Sequence, residues 1–381
     1  MIMFKKSLAA VAVLGAFAGS AFAANVTMYG VIDTGLMYTY EDETDGDPST
    51  EATHTLGLDG GINSSNRFGI KGTEELGNGM KVSFKLENGF KSDTGAFKTE
   101  NTLFDREASL SLSGDFGTIS MGRMGGVASS AGTYDIVYSM ADAFDGGDNN
   151  ILGLAISGCS DNMITYQTPK FAGLQGTFQY SFNQKGAEDD QSSLNDQFFA
   201  TAITGEFGNL NVVGAYEYTN RSKEARVNVR KDAQTIYLGG NYDCGFAKTF
   251  VMAQYFEGAD AAFGFTKADI LEDDTDSMRG MKGYGLHVGT IVPVMNGNLK
   301  AGLYYVDGKI EGFKAIDMHV SEDSDASYIG GSVRYEYPLS KRTSVYLGGG
   351  AAQAKIEEDN ESGSDYKEFI GQAYTGLTHR F

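Results

Sequence analysis

Four histidines and two cysteines are the residues best suited to covalent or metal chemistry in this chain, at positions 54, 287, 319 and 379 and at 159 and 244. A hydrolytic site needs an imidazole beside an acid and a nucleophile or a second acid. His54 and His319 fall in acidic loop segments, and His379 sits on the outer face of a terminal strand. Only His287 points inward by alternation, and no such constellation assembles around it. The cysteines stand 85 positions apart with no CxxC pair, so neither a zinc site nor a redox motif forms. The first acidic run, "EDETDGDPSTEA", imitates a calcium-binding loop but ends its ligand pattern on Ala52. No cofactor or metal is expected.

Chemistry by fixed charge is better supplied. Arg67, Lys71, Lys81, Lys85 and Arg334 share the inner face of alternating segments, and Glu107 joins them. Asp135, Asp142, Asp145 and Asp148 fall in a long stretch, 124–161, with Gly125, Gly126, Gly132, Gly146 and Gly147 to let it bend. A basic wall facing an acidic loop sets the field on ions in a water-filled passage.

The elements that must position these charges are strands. "VTMYGVIDTGLMYTY" puts Val26, Met28, Ile32, Leu36, Tyr38 and Tyr40 on one face, and Thr27, Asp33, Gly35 and Thr39 on the other. The same two-residue period recurs in "RFGIKGT", "MKVSFKLENGF", "ASLSLS", "LKAGLYYV" and "YIGGSVRYEY". Sixteen segments follow it, at 26–40, 65–74, 79–91, 102–113, 117–123, 162–168, 172–184, 196–206, 209–219, 233–243, 247–256, 280–292, 298–307, 326–338, 343–352 and 369–381. Short Gly- and Asn-rich turns alternate with long connections, among them 41–64, 92–101 and 124–161. Strands of about ten residues with turns short on one side and long on the other describe an antiparallel transmembrane β-barrel whose ends lie in the periplasm.

Composition agrees. The chain has 51 Gly and 45 Tyr and Phe but only 4 Pro, which suits a large antiparallel sheet. Its net charge of −20 excludes nucleic acid as the main partner, since phosphate contacts need a basic footprint. Residues 1–23, with Lys5 and Lys6, an apolar run from Leu8 to Ala18 and Ala21-Phe22-Ala23, read as a secretory signal peptide. Its removal takes the charge to −22 and leaves 24–381 as the barrel. The acidic runs fall in the long loops. They read as a solvated, self-repelling surface, or else as weak divalent-cation sites bridging lipopolysaccharide phosphates.

"ANVTMYGVIDTGLMY", "SSNRFGIKGTEELGNGMKVSFKLENGF", "SLSLSGDFGTISMGR", "DNMITYQTPKFAGLQGTFQYSF", "YPLSKRTSVYLGGG" and the terminal "GLTHRF" resemble the general porins of Gram-negative bacteria, in the betaproteobacterial branch. The resemblance implies a sixteen-stranded homotrimeric barrel in the outer membrane whose third loop folds inward. It also implies that the barrel-assembly machinery reads Phe381. Two departures bear on selectivity. Strict alternation sends Arg106 outward, unless a bulge reverses it, and leaves Glu107 inside. Cys159 stands where the family often has a basic residue. The facing of Arg123 is left open. The function implied is passive diffusion of ions and small hydrophilic solutes, at most weakly anion-selective. The alternative is an adhesive or structural surface barrel whose acidic loops hold a partner. A soluble secreted β-protein is disfavoured, because its outer face would carry charge. A Cys159–Cys244 bridge is not expected, since the two fall at opposite ends of the barrel wall.

Overall fold

The computed structural model describes residues 25–44, 51–187, 192–222, 230–266, 278–312, 323–357 and 365–381. The expected signal segment and much of the acidic loop sequence lie outside the described residues. No described helix is long and apolar enough to cross a membrane.

The chain builds an antiparallel sheet that closes on itself. Its first strands are β1 (Thr27–Thr44), β2 (Thr53–Gly60), β3 (Arg67–Gly77), β4 (Met80–Gly89), β5 (Glu107–Gly114) and β6 (Gly117–Gly125). The middle of the wall is β7 (Cys159–Gln167), β8 (Leu174–Ser181), β9 (Gln197–Phe207), β10 (Leu210–Asn220), β11 (Ala233–Asp243) and β12 (Lys248–Ala259). A two-stranded hairpin, β13 (Ala261–Ala262) and β14 (Phe265–Thr266), stands apart from the wall. The wall ends with β15 (Gly280–Val294), β16 (Gly297–Glu311), β17 (Ser324–Pro338), β18 (Thr343–Glu357) and β19 (Tyr366–Arg380). β19 pairs with β1 from Val31↔Arg380 to Thr44↔Lys367, which removes the sheet edge.

Sixteen barrel strands result because β2 and β3 are two halves of one. Both run antiparallel to β1, β2 opposite residues 34–41 and β3 opposite residues 27–31. Between them residues 61–66 bend into the barrel. Asp33 organises the bend. Its carboxylate accepts the Asn63 N–H at 3.2 Å, the Tyr346 hydroxyl at 2.9 Å and the Thr378 hydroxyl, while its own N–H donates to Asn66 Oδ1 at 2.5 Å. Side chains thus replace ladder bonds that the break would leave unmade. This corrects the reading of 41–64 as one loop, and His54 lies in β2, where its Nδ1 meets the Tyr38 hydroxyl at 2.9 Å. The strand expected from residue 102 starts at Glu107 instead, and the connection after β12 contributes the small hairpin.

Alternation decides the two faces. Ile32, Leu36 and Tyr38 are exposed on the outside of β1, whereas Val31, Asp33 and Met37 are buried inside. Turns such as Asn78–Gly79 and Met295–Asn296 hold two successive residues at positive φ, as tight hairpins require. Cys159 heads β7, Cys244 sits in an exposed turn, and both are free thiols.

The inside is not uniformly wet. Residues 126–158, loop three, run within the barrel and carry the short helix α1 (Val137–Ala141). Val127, Val137, Tyr138, Ile151 and Leu154 of the loop form one buried cluster with Phe198, Val213, Tyr237, Met252, Tyr304 and Tyr328 of the wall. That cluster explains why β12 reads "TFVMAQYF", apolar on both faces: one meets the lipid and the other meets loop three.

At the seam Phe381 donates its N–H to the Gly30 carbonyl and accepts the Gly30 N–H, each at 3.1 Å. A Cβ at Gly30 would overlap the Phe381 ring and stand 2.7 Å from the Arg67 carbonyl oxygen, whereas one at Gly57 meets nothing within 4 Å. Gly30→Ala is therefore expected to lower unfolding stability in urea by about 1–3 kcal/mol. Gly57→Ala should stay within about 0.5 kcal/mol of the parent. Equal effects would show that the seam is loosely packed.

Candidate functional site

Four buried carboxylates fix loop three to the wall. Glu217 on β10 accepts the Ala128 N–H at 3.2 Å, the Ser157 hydroxyl at 3.0 Å and the Tyr237 hydroxyl at 3.2 Å, tying both limbs of the loop. Glu107 on β5 accepts the Thr133 N–H at 2.9 Å, while Lys85 Nζ lies 2.9 Å away. Asp142, from the loop, takes the Tyr304 hydroxyl at 2.9 Å and lies 3.3 Å from His287 Nε2. Asp148, also from the loop, is fully buried, pairs with Arg334 and accepts the Tyr374 hydroxyl at 2.5 Å. The Asn241 amide adds a bond to the Met140 carbonyl at 2.7 Å. Buried carboxylates need hydrogen bonds or a partner charge: Glu107 has Lys85 and Asp148 has Arg334, while Glu217 is held by neutral donors alone.

With loop three held against β10–β18, the rest of the lumen stays open. This passage has a cavity volume of about 930 Å³. Arg67, Lys85 and Arg106 border it from the first strands, Lys98 from the connection before β5, and Lys300, Arg334 and Arg380 from the last strands. Asp135 and Asp145 border it from loop three, with Glu87 and Glu336 on the wall. Arg334 is clamped as well as charged. Its Nη1 donates to Asn63 Oδ1 at 2.5 Å, and its guanidinium lies 5.0 Å from the Phe144 ring centre and 5.6 Å from that of Tyr374.

Of the residues singled out in the sequence, the structure brings Arg67, Lys85, Asp135, Asp145 and Arg334 to this passage. Lys71 lies further along the same face, its ammonium 5.1 Å over the Tyr29 ring. Lys81 is at the turn end of β4, half-exposed and paired with Glu75 at 2.8 Å, so it belongs to the rim. Glu107, Asp142 and Asp148 are the loop anchors just described, and their charge is spent inside the wall. Arg106 corrects the alternation reading: it precedes the ladder at Glu107, so the pleat does not fix its direction. It turns inward and its Nε bonds Glu87 at 2.7 Å. Arg123 pairs with Asp161 at 2.5 Å across a register shift in β6–β7. Sequence reasoning missed Lys98, Lys300 and Arg380. The last two share the inward parity of Tyr304 and Thr378, a signal the register carried. Lys98 lies in an irregular connection, where no period applies.

A closed barrel with a charged, water-accessible passage beside an inward loop is a membrane channel. The family description "Gram-negative porin" matches residues 9–381, and the chain belongs to that family. An outer membrane porin protein of Bordetella pertussis is 31% identical over 423 aligned residues, covering 99% of this chain and all of its own length. Outer membrane porin protein 32 of Delftia acidovorans is 30% identical over 353, covering 90% of this chain and 88% of its own. Among solved structures, an anion-selective porin from Comamonas acidovorans superposes with a TM-score of 0.58 at 23% identity, covering 94% of this chain and all of its own, and shares the fold. The protein is thus an outer-membrane diffusion channel.

Asp135 and Asp145, both on loop three, share a hydrogen bond beside the passage. Burial, then the charge of Asp145, pushes the Asp135 carboxyl up to about 8, so it is mostly protonated at neutral pH. Raising the pH through that value adds a negative charge, and the chloride-to-potassium permeability ratio should fall between about pH 7 and 9. Lys98, held below the usual lysine range by burial and by Arg106, acts in the same direction. Asp135→Asn should remove the Asp135 part of the step in reversal-potential measurements. An unchanged pH profile would assign the step elsewhere.

Proposed function

We propose that the passage beside loop three is the selectivity-setting narrowing and that it admits small anions ahead of cations, with no covalent step and no cofactor. One observation carries this reading. Among the described residues, Arg67, Lys98, Lys300 and Arg380 border the passage with no carboxylate oxygen within 4.0 Å. The acids are less free: Glu87 is paired with Arg106, and Asp135 and Asp145 share their bond. The sequence weighting, at most weak anion selectivity, leaned on the −22 mature charge and on Glu107. Sequestration of Glu107 and the inward turn of Arg106 move that balance toward anions. Charge remote from the passage acts only through solvent, which screens over about 10 Å at 0.1 M salt. Reversal potentials in a KCl gradient across a planar bilayer should therefore give chloride preference, weakening in Lys300→Gln. Cation preference in the parent channel would overturn the reading.

The chain is read further as a homotrimer exported with residues 1–23 as a cleaved signal, embedded among lipopolysaccharide and inserted by the barrel-assembly machinery. The terminal aromatic and the family resemblance support this reading. Removing Phe381 deletes one rim ring worth about 1–3 kcal/mol of burial. Its loss should reduce heat-resistant trimer in outer membranes far more than it lowers the stability of refolded protein. Unchanged trimer yield would remove the assembly role.

A further inference from the structure

Loop three lies in a trough whose floor lacks side chains. Six glycines in the interiors of β11, β15, β16, β17 and β18 face the lumen there. A Cβ added at Gly239 would stand 2.7 Å from Ala141 Cβ, and one at Gly289 2.8 Å from Ala143 Cβ. At Gly302 it would stand 3.1 Å from the Phe144 ring, and at Gly330 and Gly350 3.0 and 3.1 Å from the Ile151 side chain. At Gly285 it would overlap Leu154. The loop crosses the wall in order: Ala141 over β11, Ala143 over β15, Phe144 over β16 and Ile151 over β17 and β18.

Backbone conformation does not call for glycine at these positions. None of the six is among the residues at positive φ. Glycine inside a strand weakens it and marks a close backbone approach. Loop three makes the nearest approach at Gly239, Gly285 and Gly302, while at Gly289, Gly330 and Gly350 it comes second to His287, to the Tyr328 hydroxyl and to Ser332 with the Gly331 carbonyl of the wall.

Phe144 links the trough to the passage. Its ring lies against Gly302 on one side and under the Arg334 guanidinium, 5.0 Å away, on the other, and it borders the open lumen. Carbon atoms rest about 3.5–4.0 Å apart, so a methyl group at Gly302 or Gly330 would press Phe144 and Ile151 of the loop outward by a few tenths of an ångström. The only free direction is into the passage, because the wall behind is closed by its own ladder.

We propose that these wall glycines set the bore of the channel, and hence its solute size limit, by letting loop three recess into the wall. The proposal rests on the passage being the solute path. Residues that border the passage fix its charge, while residues behind the loop, touching no solute, fix its width.

Single-channel conductance and liposome-swelling rates for graded neutral sugars test this in the refolded parent and four variants. Gly302→Ala alone calls for the mildest adjustment and should lower conductance measurably. Gly302→Ala with Gly330→Ala should lower it by about a third and shift the sugar cut-off to smaller size, since a packed interior transmits added volume. Adding Phe144→Leu and Ile151→Ala, which removes Phe144 Cε2 and the Ile151 γ-carbons that the new methyl groups meet, should restore most of the loss. Gly331→Ala, one residue along β17 on the lipid side beside Leu303, should leave conductance unchanged. Heat-resistant migration reports whether each barrel is closed. Unchanged or increased conductance in the two lumen-facing variants overturns the proposal. Loss without rescue does so too, because glycines serving only sheet curvature would not respond to trimming the loop. If the parent protein itself gives no conductance, the channel reading fails instead.

Discussion

Every backbone amide of a membrane-spanning sheet must find its partner within the sheet, because lipid offers none. This chain meets that requirement by pairing its last strand with its first over fourteen residues, from Val31↔Arg380 to Thr44↔Lys367. Much else follows from that closure. It fixes which residues face inward, since the pleat alternates and one slip would exchange the two faces. It confines loop three to a space bounded on all sides. It also obliges the one interrupted strand, between Gly60 and Arg67, to repair its lost bonds with Asn66 and the Asp33 carboxylate.

The lumen is divided into two physically different halves. Against β10–β18, loop three builds a dry core of tyrosine, phenylalanine, methionine and small residues, as dense as the interior of a soluble domain. Against β1–β5 and the far ends of β16, β17 and β19 the lumen stays polar and open. The loop owes its position to both apolar burial and four carboxylates. Burial alone is non-directional and would hold it loosely. The carboxylates give it an address, each accepting bonds that only one placement of the loop supplies.

This division also explains why formal charge is a poor guide to the field in the passage. Glu107, Asp142, Asp148 and Glu217 all point inward, yet each is spent on wall-to-loop contacts. The cations that face water are the ones left over. Charge at the outer mouth is screened within about a Debye length, whereas charge beside the narrowing acts at short range through a low-dielectric rim. A chain of net charge −20 can therefore carry a basic passage.

The sequence by itself determined the barrel, its sixteen-strand order, the outward and inward faces of most strands, and the inward orientation of Arg67, Lys85 and Arg334. A two-residue period is a local property, legible wherever pairing is regular. The tertiary structure decided what local periodicity does not carry. Arg106 and Lys98 sit where the chain leaves the ladder, so no alternation constrains them. The inward bend at 61–66 exists because Asp33 meets Tyr346 and Thr378, 313 and 345 positions away, at the seam. Whether an inward acid faces the passage or anchors the loop depends on partners brought from across the barrel. Asp148 illustrates it, bound to Arg334 and Tyr374 186 and 226 positions away. Contacts of that separation form only when the sheet has closed, and they are invisible in any window of sequence.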